Sequence, residues 1–290
     1  MLKKLFKHDF RALSRTLFPL QIGILGGGLV ATLLSALSIR LAGSSWAGAN
    51  GSSLLRGLIM AITVTSAVLI GVAIMASLMV TLIFICYHFY RSFLSDEGYL
   101  TFTLPVKTRD LLWSKLLSGM LWMLINGVVV MVALLIYSVF GTTTNTLINT
   151  EVLNAFRTFF TDLLPQAAQY ISIPLMIVEC VVVGILALAA QLLQVYFAII
   201  IGGQVAKKHR ILAAIGMYLL INMGVGIISS VFMSLVTFGE GAMRIALNSA
   251  QEVGTFMTTI FGWYGVLFAG LSVLFFLVSK SILKKNLNLQ

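Results

Sequence analysis

The chain alternates between long apolar runs and short polar segments. The runs are almost free of charged residues, and they cover positions 17–41, 58–89, 116–140, 171–201, 211–238 and 259–278. Because an α-helix rises 1.5 Å per residue, about 20 apolar residues cross the ~30 Å hydrocarbon core of a bilayer. The pattern therefore predicts an all-α, polytopic membrane protein with six transmembrane helices.

Composition strengthens this prediction. Hydrophobic residues make up 59% of the chain and charged residues 10%, and the mean hydropathy is +1.03. A soluble domain has about 45–50% apolar and about 25% charged residues, so the composition excludes a soluble fold. No internal repeat or polar linker divides the chain. We expect one transmembrane domain over residues 1–290.

The basic residues predict the orientation. The chain has 19 Lys and Arg against 9 Asp and Glu, a formal net charge of +10. Most basic residues flank alternate ends of the apolar runs, and the other side has only Arg40, Arg56, Arg157 and Arg244. Cytoplasmic loops retain Lys and Arg, so both termini are predicted to be cytoplasmic. The anionic inner membrane surface explains the excess charge better than nucleic acid does.

The segment before the first apolar run has an amphipathic pattern. Apolar residues recur every three or four positions at Leu2, Phe6, Phe10, Leu13 and Leu17, with basic residues between them. This spacing predicts an elbow helix over 1–16 that lies in the inner interface. The alternative is a basic stub that only fixes topology. A full-length apolar run and the lack of a cleavage site argue against a signal peptide.

The sequence lacks the residue patterns of a membrane enzyme. It has no zinc-protease motif, no nucleophile elbow and no phosphate-binding loop, so we expect no catalytic, metal or cofactor-binding residues in this chain. Cys86 and Cys180 lie within apolar runs without metal-ligand spacing. His8, His88 and His209 fall at predicted cytoplasmic interfaces, where a surface role is expected. If ATP powers the protein, another chain must bind it.

A Gly-x-x-x-Gly spacing occurs in the first apolar run, at Gly23 and Gly27. Small residues at this spacing let two membrane helices approach closely. We therefore expect these glycines to serve dimer packing, although the motif is common by chance.

The loop at 91–115 carries the most specific pattern. Ser95, Asp96 and Glu97 are suited to begin a short helix, and Pro105 ends it. The loop also contains four large apolar side chains that we expect to be exposed, at Tyr99, Leu100, Phe102 and Leu104. Such a patch marks a surface for a partner or for the membrane. The two acids favour a protein partner over an anionic lipid surface.

At these residues the sequence resembles the membrane subunit of ABC exporters of the type V class, also termed ABC-2-type. The matching segment is Glu97-Gly98-Tyr99-Leu100-Thr101-Phe102-Thr103-Leu104-Pro105, followed by Lys115 at the third span. The resemblance implies an amphipathic elbow helix before the first span. It also implies a cytoplasmic coupling loop that docks on a separate ATPase, at Asp96, Glu97, Gly98, Tyr99, Leu100, Phe102, Leu104 and Pro105.

The resemblance also implies partners and a cargo. Two ATPase subunits holding ATP and Mg would bind below two permease chains, most simply a homodimer, in the plasma membrane of a bacterium. A hydrophobic or amphipathic peptide is the expected cargo, as in exporters of the phenol-soluble modulin type or exporters that protect against antimicrobial peptides. Drug or lipid export remains open.

The predicted outer segments contain further apolar positions. Residues 238–258 are expected to form either an ordinary outer loop or a re-entrant segment. The longer segment at 141–170 has helical spacing that predicts a surface helix, at Val152, Phe156, Phe159, Phe160 and Leu163.

Polar residues within the fourth run suggest a route for the substrate. Glu179 is costly in hydrocarbon unless it is protonated, paired or hydrated. At 100° per residue, Gln191 and Gln194 fall on one broad face with it, which predicts a substrate path. Alternatively, Glu179 only fixes packing, for instance near Asn222 or Asn126. Further residues suited either to this route or to packing are Trp122, Asn126, Trp263 and Tyr264.

Two other functions remain open. The first is an ion-coupled secondary transporter or channel with Glu179 as its proton site. The second is a membrane anchor that holds a cytoplasmic partner through the loop at 91–115.

Overall fold

The structure is a computed structural model that describes residues 2–43, 53–94, 107–140, 150–206, 209–239 and 250–287. In these ranges the chain is helical and contains no strand, which confirms the all-α class. The long helices are α1 Leu2–Gly43, α2 Ser53–Leu94, α3 Thr108–Phe140, α6 Ile173–Val205, α7 Arg210–Gly239 and α8 Ala250–Leu287. Shorter elements between α3 and α6 are α4 Thr150–Thr158, a π-helical segment Phe159–Leu163 and α5 Leu164–Ala168.

The long helices confirm the predicted spans. Each covers all or nearly all of one apolar run, and within the described ranges 6 helices are long and apolar enough to cross a membrane. Their exposed faces are rich in large apolar side chains, such as Leu33, Val64 and Leu220. Such a surface is unfavourable in water and favourable in lipid. The chain is a multi-pass membrane protein, and the cytoplasmic position of its termini remains a prediction.

The predicted elbow segment is helical and continuous with the first span. Residues 2–16 are the beginning of α1, which runs from Leu2 to Gly43. Pro19 lies inside the helix, and no glycine or proline separates Leu13 from Leu17. Both of these leucines are buried, so packing continues across the expected boundary. The interfacial location of this segment stays a prediction.

The helices also extend beyond the predicted loop boundaries. At the 91–115 loop, α2 continues to Leu94 and α3 already begins at Thr108. At the 238–258 segment, α7 continues to Gly239 and α8 begins at Ala250, so the part between 240 and 249 lies outside the described residues. The predicted helix within 141–170 is present as α4 and the π-helical segment.

Contacts divide the chain into two compact units, which hydropathy did not indicate. Unit 1 comprises Met1–Asp9, Cys86–Met120 and Leu164–Gln290, and unit 2 comprises Phe10–Ile85 and Leu121–Leu163. That the chain functions as one transmembrane domain stays a prediction from its sequence.

The core of unit 1 is mainly apolar and aromatic. Its α3, α6 and α8 contribute large buried side chains, including Leu112, Leu116, Leu192, Leu193, Ile200 and Phe275. Phe197 contacts Phe275, with ring centroids 5.3 Å apart, where α6 meets α8. Gly202 allows a close approach of α6 to α7, because a Cβ there would lie 2.4 Å from the backbone of Ala214.

The core of unit 2 is built from smaller and more polar residues. Buried positions on α1 recur at intervals of three and four, at Leu17, Gln21, Ile24, Gly28, Ala31, Ser35 and Ser38. This is the spacing of a heptad seam, in which one narrow stripe of a helix packs on its neighbours. The hydroxyl of Ser38 lies 2.8 Å from that of Thr63 and so connects α1 to α2.

Candidate functional site

A buried ionic cluster joins α1, α2 and α3 within unit 1. The Asp9 carboxylate on α1 accepts a hydrogen bond from Ser114 and an ion-paired one from Lys115 Nζ, which is 2.5 Å from Oδ1. His88 on α2 completes the cluster, with Nε2 3.0 Å from Lys115 Nζ and 3.4 Å from Asp9 Oδ1. Lys115 Nζ therefore donates to the carboxylate and also lies within hydrogen-bonding distance of the imidazole.

Three members of the cluster are almost fully enclosed by protein, and His88 is partly exposed. Asp9 is 5% exposed, Lys115 6% and Ser114 0%. Two ions taken out of water are tolerated only when they pair closely and their remaining hydrogen-bonding groups find partners, and both conditions hold here. Removing one partner would leave the other charge buried and unpaired. The arrangement therefore fixes how α1, α2 and α3 meet at this level.

Tyr196 extends the cluster to α6. Its hydroxyl donates to the backbone carbonyl of Lys115 at 3.2 Å, and its ring stacks on Phe89 with centroids 4.0 Å apart. Phe89 in turn contacts Phe93 one turn further along α2. Tyr196 is among the largest fully buried side chains. Tyr196 therefore connects α6 to the two helices that carry Lys115 and Phe89.

The end of α2, which precedes the 95–106 segment, is attached to unit 1. Arg210 at the start of α7 donates from Nη1 to the carbonyl of Leu94 at 2.7 Å. The Leu94 side chain packs so closely on Gly203 that a Cβ there would lie 2.2 Å from Leu94 Cδ2. The last carbonyls of a helix lack partners within it, so this bond also caps α2.

The beginning of α3, which follows the 95–106 segment, is ordered by its own first turn. The Lys107 carbonyl accepts from the backbone N–H of Asp110 at 2.8 Å and of Leu111 at 3.3 Å. Ser114 and Lys115 follow one turn later, so the start of α3 leads directly to Asp9. The predicted ATPase-coupling residues between these two helix ends lie outside the described residues, namely Asp96, Glu97, Gly98, Tyr99, Leu100, Phe102, Leu104 and Pro105.

The two glutamines of the predicted substrate path both bond to α7. Gln191 Nε2 donates to the Tyr218 hydroxyl at 2.8 Å, and Gln194 Nε2 donates to Asn222 Oδ1 at 3.2 Å. Tyr218 and Asn222 are one turn apart, so the bonds form a short ladder between α6 and α7. Gln191 is exposed, whereas Gln194 is buried. Their part in a substrate path stays a prediction.

Glu179 lies apart from this ladder, about 18 Å from Gln191 along the axis of α6 at 1.5 Å per residue. Its Oε2 is buried without a hydrogen-bond partner. The packing partners considered for it are engaged elsewhere, since Asn222 bonds to Gln194 and Asn126 donates to the Ser77 carbonyl. The structure therefore does not join Glu179 to the two glutamines.

The remaining predicted residues lie on exposed or aromatic surfaces. Gly23 and Gly27 have nothing within 4 Å of an added Cβ, so no helix among the described residues packs closely against them there. Trp263 contacts Phe232, and Tyr264 stacks on Phe268. Cys86 and Cys180 are free thiols. In the described ranges, no group of 3 or more His, Cys, Asp and Glu gathers to hold a metal ion.

Asp9 and Ser114 are the members of the cluster that sequence reasoning missed. A usable signal exists, because Asp9 lies three residues after Phe6 and four before Leu13, on the apolar face of the amphipathic segment. An acid on that face must find a partner in the interior. His88, expected to have a surface role, is partly exposed and also contacts the buried pair of Asp9 and Lys115.

Comparisons with protein-family models, curated protein sequences and solved structures give no match to this chain.

Proposed function

We propose that the chain is the membrane-spanning permease subunit of an ATP-driven exporter. The observation that carries the proposal is the buried cluster of Asp9, His88, Ser114 and Lys115, which joins the helices on both sides of the 95–106 segment to α1. A surface loop without a mechanical role needs no such attachment, and a buried ion pair is a costly way to provide stability alone.

The contacts provide a route for a force applied to the loop. A partner that moves residues 95–106 pulls on the end of α2 and on the start of α3. Arg210 passes the displacement from α2 to α7, the Asp9–Lys115 pair passes it from α3 to α1, and Tyr196 passes it to α6. The helices then move as a group, because closely packed contacts transmit displacement rather than absorb it.

The partners follow from the chemistry of the proposed cycle. A soluble ATPase carries ATP and Mg and docks on the acids and apolar side chains of the loop. A second permease chain completes the pathway, and we assign a homodimer. The cargo is a hydrophobic or amphipathic peptide, and the location is the plasma membrane of a bacterium. The chain itself is not catalytic.

Co-purification tests the proposed docking. The chain is tagged in its native host, solubilised in mild detergent, and compared with the double variant Glu97→Arg and Leu100→Asp. A matched control makes the same kinds of change on α4, at Glu151→Arg and Leu153→Asp. We expect the parent and the control to retain a stoichiometric ATPase and the loop variant to lose it. An ATPase retained at full stoichiometry by the loop variant would contradict the proposal.

An ion-coupled transporter is the second candidate function, because Glu179 Oε2 is buried without a partner. A carboxyl in such a place is suited to exchange a proton. In proteoliposomes without ATP, this function predicts that an imposed proton gradient drives solute movement that Glu179→Gln abolishes. Solute movement that needs ATP and tolerates Glu179→Gln would reject it.

A further inference from the structure

Unit 2 contains a group of buried polar atoms without hydrogen-bond partners. They are both amide atoms of Gln21, Thr81 Oγ1, Trp122 Nε1 and Asn126 Oδ1. Gln21 is 5% exposed and Asn126 is 0% exposed. Buried polar groups are almost always satisfied by protein or by a bound molecule, because an unmade bond in an apolar interior is costly.

Other buried hydroxyl groups of unit 2 have hydrogen-bond partners. Thr32 donates to the Gly28 carbonyl at 2.7 Å, and Ser35 donates to the Thr32 carbonyl at 2.9 Å. These side chains use the free lone pairs of their own helix. Thr81 does not form such a bond, and the Gln21 and Trp122 groups have no such option within their helices. The unpartnered atoms therefore differ from the buried hydroxyl groups of Thr32 and Ser35, which bond to the backbone of their own helix.

The register of α1 against α3 places Gln21 and Asn126 at one level. Gly28 packs on Ala133, since an added Cβ would lie 3.6 Å from Ala133 Cβ. The rings of Phe10 and Trp122 stack earlier on the same two helices, so α1 and α3 run in the same direction. Gln21 lies one heptad before Gly28, and Asn126 lies one heptad before Ala133. One heptad returns to nearly the same face of a helix.

The contact of α2 with α3 gives the positions of Thr81 and Trp122. Asn126 Nδ2 donates to the Ser77 carbonyl at 3.3 Å, which brings α2 to the same level. Thr81 lies one turn after Ser77, and Trp122 lies one turn before Asn126. Consecutive spanning helices run in opposite directions, so these two residues lie at a common level, one turn from Asn126. Donors and acceptors from α1, α2 and α3 therefore lie within about one helical turn of one another along these helices.

The chemistry of the group selects its ligand. The Gln21 amide and the Trp122 indole offer N–H donors, the Gln21 and Asn126 carbonyls are acceptors, and Thr81 is both. None of these groups carries a charge. Adjacent positions on the same faces are apolar and buried, at Leu17 and Ile24. A bare ion would lack a counter-charge among these residues, whereas a neutral group that donates and accepts would satisfy them.

We propose that Gln21, Thr81, Trp122 and Asn126 form a binding site for an uncharged group that both donates and accepts hydrogen bonds. Two sources share this chemistry, namely water and the amide of an apolar solute. The site is argued from unit 2 alone and does not depend on the proposed ATPase or on the loop. Its success or failure is therefore separate from that of the exporter.

Trp122 provides a reporter inside the site. Replacing Trp46, Trp113 and Trp263 by Phe leaves Trp122 as the single indole of the chain. The protein is placed in lipid nanodiscs, and its emission is recorded in H₂O and in D₂O. The amide arm adds N-hexylacetamide, and hexyl acetate, an ester of the same length without an N–H group, is the control solute.

Each source gives a distinct positive result. Bound water raises the emission yield of Trp122 in D₂O, because the indole N–H exchanges with the solvent it contacts. Bound amide shifts the emission saturably with N-hexylacetamide and not with hexyl acetate. Gln21→Leu or Asn126→Leu should weaken the amide effect about fivefold to tenfold, as the loss of one neutral hydrogen bond does. Ser35→Ala, whose hydroxyl bonds its own helix, should leave it unchanged.

Two results would contradict the proposed binding site. If the Trp122 emission in the single-tryptophan protein does not respond to D₂O or to either solute, the polar atoms pair with one another and the site does not exist. A response to hexyl acetate equal to that of the amide would also reject the assigned chemistry. Both outcomes are measured on the protein without Gln21 or Asn126 variants, so a variant that fails to fold does not leave the proposal untested.

Discussion

The buried cluster of unit 1 and the buried polar group of unit 2 differ in whether their polar atoms have hydrogen-bond partners. In unit 1 the charged side chains of Asp9 and Lys115 are enclosed, and their polar atoms find partners in Ser114 and His88. In unit 2 the enclosed groups of Gln21 and Asn126 are neutral, and several of their atoms have none. A satisfied network holds helices together, whereas an unsatisfied one is suited to accept a guest. We therefore assign a mechanical role to the first and a binding role to the second.

The largest expected effect is the loss of the ammonium from unit 1. Lys115→Met leaves the Asp9 carboxylate buried without its counter-charge, and we expect the free energy of unfolding to fall by about 3–5 kcal/mol. Thermal unfolding in detergent measures this loss of stability. Lys107→Met is the control, since Lys107 is exposed. Adding Asp9→Asn to Lys115→Met should restore most of the loss, and a double variant no more stable than the single one would count against the pair.

The next effect tests the close approach of α6 to α7. Gly202→Ala places a Cβ 2.4 Å from the Ala214 backbone, which cannot move as a side chain can. Overpacking of this kind costs about 1–3 kcal/mol. Gly216→Ala on α7 has open space around it and should not be destabilising, because Ala favours a helix over Gly. Equal unfolding temperatures for the two variants would show that α6 and α7 do not meet as described.

A smaller effect tests the extension of the cluster to α6. Tyr196→Phe removes the hydrogen bond to the Lys115 carbonyl and keeps the ring that stacks on Phe89. The expected loss is about 1 kcal/mol, the usual value for one neutral hydrogen bond. Tyr264→Phe, which keeps the ring that stacks on Phe268, is the matched control. Chemical unfolding of both variants gives the comparison, and an unchanged midpoint for Tyr196→Phe would argue against the bond.

The smallest effect on folding is expected at Gly23 and Gly27. Their surroundings within the chain are open, so Gly23→Leu with Gly27→Leu should leave the unfolding temperature nearly unchanged. The same change should weaken dimers if two chains pair through this face. Cross-linking in native membranes measures the dimer fraction. A dimer fraction equal to that of the parent would place the interface elsewhere.

Hydropathy alone was sufficient to predict the helices. Each spanning run is long and continuous, and its physical cause, the thickness of the bilayer, acts on every residue in the same direction. Boundaries were less predictable. Near the 91–115 loop, charged residues such as Arg91 and Arg109 continue the helices beyond the apolar run, because charge excludes a residue from hydrocarbon and not from a helix.

The site was harder to predict because its members are far apart in sequence. Asp9 and Lys115 pair across α1 and α3, and no local pattern encodes their register. Only the position of Asp9 on an apolar face indicated a buried partner. The division into two units was also beyond the sequence. It depends on which small residues face one another, and Gln21 and Asn126 come to one level only through the contact of Gly28 with Ala133.

The central claim is that the Asp9–Lys115 pair passes motion from the 95–106 loop to the spanning helices. The most direct measurement is ATP-driven uptake of a fluorescent amphipathic peptide into inside-out vesicles, for the parent and for Asp9→Asn with Lys115→Met. We predict that the double variant keeps its fold, its bound ATPase and ATP hydrolysis but moves much less peptide for each ATP. Peptide uptake for each ATP equal to that of the parent would contradict the account.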